Sequence, residues 1–178
     1  QLKKVPHLLQ AVPRLETFVL ASVGNNTKGC MLVGTDAVLE NHLTGLKAKI
    51  IGGDYLQNNE PAAIIAEGLA KRLQVGVHDT IVLLGQGYQG AMAAGKYPVS
   101  GIVHFGSPAL NDGLLYLPLP VVQNFLSAEN MLTSISLAID KPENMWVVQN
   151  DVTAIVGKDY EVMNWKELMP EIANHIKA

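Results

Sequence analysis

Cysteine is almost absent: Cys30 is the only one in 178 residues. A lone thiol can neither close an internal disulfide nor build a zinc site, so the fold rests on its core. Scarce cysteine suits a cytoplasm and a periplasm equally and does not choose between them. Charge is scarce too. Asp, Glu, Lys and Arg make up 16% of the chain, the formal net charge is −3, and the thirteen Lys and Arg are scattered. Without a basic cluster there is no electrostatic footprint for nucleic acid. Nowhere do apolar residues run for the roughly 20 positions a membrane span needs, and no basic segment leads into an apolar one as in a signal peptide. The chain opens on Gln1, and 1-QLKKVPHLLQAVPRLET-17 reads as a piece cut from a longer protein.

What is present is apolar residue: 48% of the chain is hydrophobic and the mean hydropathy is +0.18. That composition, at this length, predicts one domain or two small lobes with a sizeable core. Leu2, Val5, Leu8 and Leu9 have helical spacing, which Pro6 and Pro13 limit to a short helix. Two strands, 15-LETFVLASV-23 and 30-CMLVG-34, flank a Gly-Asn turn and read as a hairpin. A short helix fits 36–50. A longer one fits 59-NEPAAIIAEGLAKRLQVG-76, with Pro61 at its start, Lys71 and Arg72 in its last turn and Gly76 just past its end. Gly68 inside that helix signals close packing.

Strands are predicted at 80–84, 98–106 and 114–119, a short helix at 120–128 and an alternating strand at 131–139. Pro142 opens a helix ending at Gly157, 159-DYEVM-163 reads as a strand, and Asn164 with Glu167 forms a capping box for a last helix kinked at Pro170. The β-α-β-α tail is the signature of an α/β or α+β sandwich, and the whole reads as a two-lobed, β-rich fold. Boundaries are placed near Gly34 and Ala128.

One motif asks for a chemical reading. In 81-IVLLGQGYQGAMAAG-95, Gly85, Gly87 and Gly90 spell G-x-G-x-x-G after a strand, the pattern that seats a pyrophosphate at a helix N-terminus. An acid, Asp112, even stands 22 residues beyond Gly90. The helix is missing, however: only seven residues, Gly95 among them, separate Gly90 from the breaker Pro98. The glycines therefore read as a loop between antiparallel strands. His7, His42, His78, His104 and His175 show no i, i+3 or i, i+4 pairing, so no metal site is expected. Ser107 in 104-HFGSP-108 is a turn serine rather than a nucleophile elbow. Glu16, Asp36, Glu40 and Asp54 share no spacing and read as surface charges. Trp146 and Trp165 read as core or rim packing. The run 114-LLYLPLP-120 is either buried on both faces or part of an interface. No catalytic, cofactor-binding or metal-binding residue is assigned, and no enzymatic activity is expected.

The string 66-AEGLAKRLQVGVHDTIVLLGQGYQG-90, followed by 97-YPVSGIVHFGSPALND-112, 114-LLYLPLPVVQNF-125 and the tail 163-MNWKELMPE-171, resembles the periplasmic core domain of MacB-type and Lol-type ABC transporter permeases, the FtsX-like group. The resemblance covers the chain from about Pro13 to Ile172 and rests on the order of individually weak structural motifs. It departs at His78, where the family pattern has glycine before Asp79; if that position is left-handed, histidine carries a conformational penalty. The resemblance implies a membrane-proximal α/β lobe from 1–34 and 128–178, with 35–127 inserted. It also implies a place between transmembrane helices 1 and 2, on the periplasmic side of a bacterial inner membrane. The implied partners are a second permease subunit, a cytoplasmic ATPase acting indirectly, the membrane through flanking helices, and a periplasmic adaptor or a lipoprotein, peptide or drug cargo. In that setting 85-GQGYQGAMAAGKYP-98 is a hairpin loop able to touch a partner. Two other readings are a stand-alone extracytoplasmic binding module and a dinucleotide-binding enzyme using Gly85, Gly87 and Gly90.

Overall fold

The computed structural model describes residues 1–168. After a single 3-10 turn at Leu2–Lys4, the chain enters β1 (Leu8–Val23), which turns back as β2 (Asn26–Thr35). The predicted N-terminal helix is thus reduced to one turn, since Leu8 and Leu9 already belong to the strand. The hairpin is as predicted: Val23 pairs with Asn26 across Gly24 and Asn25, and Gly24 takes a φ of +56° that suits a residue without Cβ. Helix α1 (Ala37–Thr44) begins at Asp36, whose Oδ1 accepts the Val38 and Leu39 amide protons, and stops at the left-handed Gly45. Strand β3 (Ile50–Gly53) follows.

The predicted helix over 59–76 is corrected. Ala63–Ala66 is a strand, β4, and only Glu67–Leu73 is helical, as α2. Ile64 and Ile65 point to opposite sides of a strand and both are fully buried, so burial on two faces overrides the helix-like start at Pro61. The helix ends at Gln74 in the left-handed region, two residues before Gly76. Gly68 is where the packing was expected to be close: a Cβ there would strike Asp112 Oδ1 and lie 2.8 Å from the Asn111 carbonyl oxygen.

The remaining elements are β5 (Thr80–Gln86), β6 (Met92–Val103), α3 (Pro108–Asn111), β7 (Leu114–Pro118), α4 (Leu119–Phe125), β8 (Ser134–Ile139), α5 (Met145–Val156) and α6 (Trp165–Leu168). The strand predicted at 159–163 is absent. A 3-10 turn holds Gly157–Asp159, and the next residues have no strand partner, with Tyr160 exposed. The capping box forms: Asn164 Oδ1 accepts the Glu167 amide proton and Glu167 Oε2 accepts that of Asn164, at 3.2 and 2.8 Å. Pro170 and His175 lie outside the described residues.

Two compact units result, Val12–Ser136 and the pair of segments Gln1–Ala11 and Leu137–Ala178. Their divisions fall after Ala11 and Ser136, displaced from Gly34 and Ala128, because the whole β1–β2 hairpin from Arg14 to Thr35 is built into the larger unit's sheet. The smaller unit centres on Val5, Val148 and Val152, with Leu2, Leu8, Leu137 and Ile139 against them. In the larger one the strands close a ring, β1-β2-β7-β4-β6-β5 and back to β1, with β3 added on β6. β2–β7 and β4–β6 are parallel and the other ring pairs antiparallel. β7 lies between β2 and β4, and its residues Leu115–Pro118 are buried; of its two predicted settings, the buried one holds.

Strand alternation sorts the hairpin residues into two faces. Val19, Ala21, Leu32, Ile81 and Leu83 turn into the core. On the outward face, Met31 pairs with Phe18. Gly29, Leu20, Leu84 and Ala94 form the next rank, Thr27, Ser22, Val82 and Lys96 the third, and Gln86 pairs with Met92.

Candidate functional site

The glycine loop joins β5 to β6, which are antiparallel from Thr80↔Pro98 to Gln86↔Met92. The hairpin loop expected over 85–98 is shorter, residues 87–91, because Met92–Pro98 already pair with β5 as part of β6, and its geometry bears on the phosphate cradle that its glycines suggest. Such a cradle needs free amide protons. Here the Gly87 N–H donates to Ala91 O at 2.6 Å, Tyr88 N–H to Leu126 O at 2.8 Å and Gly90 N–H to Gly87 O at 3.1 Å. Each glycine has a steric reason instead. A Cβ at Gly87 would sit 2.8 Å from the Leu126 carbonyl, Gly85 faces Val19 and Phe125, and Gly90 has φ of +82°. The loop is clamped on the end of α4 and presents Tyr88, with Met92 just beyond it, to solvent.

The titratable groups form short surface pairs. His104 Nδ1 lies 2.6 Å from Glu67 Oε2, and Lys71 Nζ bonds the other oxygen at 2.8 Å. Lys71 first and His104 second hold the Glu67 carboxyl at about 2. In the smaller unit, Asp140 takes bonds from Asn144 Nδ2 and His7 Nδ1 at 2.9 and 2.8 Å, which hold it at about 2, Asn144 being the larger cause. Because both folded-state values are depressed, what these groups contribute to stability is in place above the ordinary carboxylate range. It is lost as pH falls toward 2. A carboxyl-carbon NMR titration should show two carboxylates, absent from Glu67→Gln and Asp140→Asn respectively, that protonate last. Among the described residues no group of three or more His, Cys, Asp or Glu could hold a metal ion. Ser107 precedes Pro108 at the start of α3 as a turn residue.

The sequence reading missed one cluster. Glu40, read as a surface charge, is only 1% exposed. Its carboxylate takes two bonds from the Arg14 guanidinium, at 2.7 and 3.0 Å, one from Thr35 Oγ1 at 2.9 Å and one from Thr44 Oγ1 at 3.3 Å. Arg14 also donates to Ser136 Oγ at 2.9 Å. Burial works against the Arg14 charge, but its bonds to Glu40 and that group's field outweigh burial and raise its pKa. A lone Arg in an apolar strand was the signal available: such a group needs a counter-charge. Asp36 is also no free surface charge, being the α1 cap. The tryptophans lie outside the core, both more than a third exposed. Cys30 is buried, and burial pushes its thiol up to about 11, which leaves it unreactive at neutral pH.

His78 has φ of +75° and donates its amide proton to Val99 O at 2.8 Å. This is the left-handed region, at the position where the resemblance leads one to expect glycine. His78→Gly is expected to raise stability by about 0.5–1 kcal/mol, the relief of strain exceeding the added freedom of the unfolded chain. A urea midpoint unchanged or lowered would show that the histidine side chain contributes more than its strain.

Comparison with known proteins gives one family: its model, described as the MacB-like periplasmic core domain, matches residues 1–155. No curated protein matches the chain. Among solved structures, the chain is similar to the periplasmic region of MacB from Actinobacillus actinomycetemcomitans, at 19% identity and a TM-score of 0.68, over 97% of this chain and 79% of that one. It is also similar to the extracellular domain of YknZ, a noncanonic ABC-type transporter from Gram-positive bacteria. There the identity is 16% and the TM-score 0.67, over 92% of this chain and 85% of that one. At such identities the likeness carries the fold alone.

Proposed function

The chain belongs to the family of MacB-like periplasmic core domains, and from that membership we propose that it works as the extracytoplasmic domain of an ABC transporter permease. It lies between the first and second transmembrane helices and couples ATPase-driven motion to export or release of a lipoprotein, peptide or drug cargo. The family match over residues 1–155 carries this reading. It is supported by a fold likeness that extends over nearly the whole chain. A second permease subunit and a cytoplasmic ATPase complete the machine, and a periplasmic adaptor or the cargo meets the exposed loop. Tyr88 at the loop tip offers an amphipathic ring of the kind favoured at interfaces.

The test is the complete reading frame and its product in membranes. An apolar run of about 20 residues is expected on each side of this segment, with a cysteine placed at Tyr88 labelled by an impermeant maleimide from outside. A cleavable signal with no membrane span would overturn the reading in favour of a free binding module. Replacing Gln86, Tyr88 and Gln89 by Ala in the full-length protein then tests the loop; unchanged transport and adaptor binding would remove its contact role.

A further inference from the structure

We propose that the free edge of β6 over Met92–Lys96 is a docking site for an extended segment of another protein, which adds beside it as a further strand. The bonds at the two ends of the β5–β6 ladder fix which way each backbone group points. Gly87 N–H donates to Ala91 O at 2.6 Å, and Val99 N–H to Asp79 O at 2.8 Å. In the register between them, Gly85↔Ala93, Leu83↔Gly95 and Ile81↔Tyr97 are therefore the bonded pairs. Met92, Ala94 and Lys96 turn their N–H and C=O groups away from β5. Farther along, that same side of β6 is occupied: Ser100 O accepts the Asp54 amide proton at 2.8 Å, and β4 pairs from Ala63↔Val99 onward. Before Val99 the side is open, because β4 begins only at Ala63. Among the described residues nothing bonds the outward groups of Ala94 and Lys96.

The occupant follows from this chemistry. A row of unpaired donors and acceptors at strand spacing is completed by another extended backbone, with main-chain bonds for affinity and alternate side chains for specificity. Helices and folded faces keep their own backbone groups bonded and have none to give. The edge is also held ready by β5 and by the clamp of Tyr88 N–H on Leu126 O, so binding orders little of it. A like row at Thr27 and Gly29 of β2 has α2 at its head, where Asn26 Nδ2 donates to Leu73 O. The side chains along β6 give the partner's composition. Met92, Ala94 and Lys96 are exposed on one face of the strand. Met92 is 87% exposed and Leu84, beside Ala94 on β5, 40%, so apolar residues suit the partner there. Lys96 has no carboxylate partner among the described residues, and its neighbours on that face, Val82 and Ala94, are uncharged. An acidic residue in the segment answers it. Pro98 has no N–H and ends the row, which limits the segment to about five to seven residues. This edge is separate from the loop tip at Tyr88 and stands apart from the transporter reading.

The probe is a capped heptapeptide, Asp-Thr-Val-Thr-Val-Thr-Asp, which reads alike in both directions and so fits either strand orientation. It is added to the isotope-labelled 178-residue chain at about 2 mM, twice an expected dissociation constant of about 1 mM. Amide exchange with solvent at Ala94 and Lys96 should then slow about threefold, with Thr27 and Gly29 unchanged. Ala94→Pro removes an outward N–H and no bond to β5, so it should lose the peptide and keep the rest of its spectrum. Lys96→Glu should reverse the charge preference, binding this peptide about tenfold more weakly and preferring one with Lys for both Asp. That variant leaves the backbone alone and decides the matter if Ala94→Pro does not fold. Exchange unchanged at Ala94 and Lys96 overturns the proposal. So does binding that survives Ala94→Pro, or a charge preference that Lys96→Glu leaves as it was. Amides of Ala94 and Lys96 that are protected in the chain alone, and freed on dilution, would assign the edge to a second copy and equally overturn it.

Discussion

Glu40→Ala is expected to destabilise the larger unit by about 3 kcal/mol, the low end of what removing one partner of a buried ion pair costs. The wild-type carboxylate takes four hydrogen bonds. Without it the Arg14 guanidinium keeps Ser136 as a side-chain partner among the described residues, and the hydroxyl of Thr35, itself fully buried, loses its acceptor. A buried donor left unpaired costs about 1–3 kcal/mol by itself. Arg14 keeps 20% of its side chain in solvent, so water recovers part of its loss, which sets the low end. In a domain of this size the loss corresponds to a melting temperature about 6–12 °C lower. The paired change Arg14→Met with Glu40→Leu should restore most of it, since both charges leave together. If Glu40→Ala lowers stability by less than about 1 kcal/mol, the carboxylate is hydrated in solution and the pair is not structural.

That cluster marks the limit of what the sequence reveals. The hairpin at Gly24 and Asn25, the Asn164–Glu167 box and the turn at the glycine motif were all legible. Each is decided within a few residues by backbone freedom, a local bond or the distance to a proline. The Arg14–Glu40 pair spans 26 positions and two element types, and no periodicity reports that α1 is laid against β1. The strand at Ala63–Ala66 failed for a related reason. Five apolar residues after a proline fit a helix start and a buried strand equally, and only the parallel pairing with β6 decides. Ring closure is the least local property of all. β2 meets β7 and β1 meets β5 across most of the larger unit, so the sequence suggested an inserted β-rich lobe without its closure. The candidate loop was legible as a loop and illegible as a site, because its clamp is the carbonyl of Leu126, far along the chain.

Gly101→Ala should have an effect of similar size and opposite origin, an added methyl with no room. At this position β6 is bulged: Ala63 of β4 pairs with Val99, and the next residue, Ile64, pairs with Gly101. On the other side Gly53 of β3 pairs with Gly101, and the Asp54 amide donates to Ser100 O at 2.8 Å. A Cβ at Gly101 would run into the Asp54 carbonyl oxygen and lie 3.3 Å from that of Gly52. Both obstacles are backbone, which cannot swing aside as a side chain can, so β3 must lift from β6. We expect a loss of about 2–3 kcal/mol, the upper part of the range for overpacking. Gly106→Ala, where a Cβ meets nothing within 4 Å, should stay within about 0.5 kcal/mol, as surface changes do. Urea midpoints give the two magnitudes, and native-state hydrogen exchange at Asp54 gives the location. Fast exchange there with a small global loss would mean that β3 detaches alone, leaving the ring intact. Unchanged exchange and an unchanged midpoint would mean that the approach of β3 to β6 is looser than this bulge makes it, and that glycine is not required at position 101.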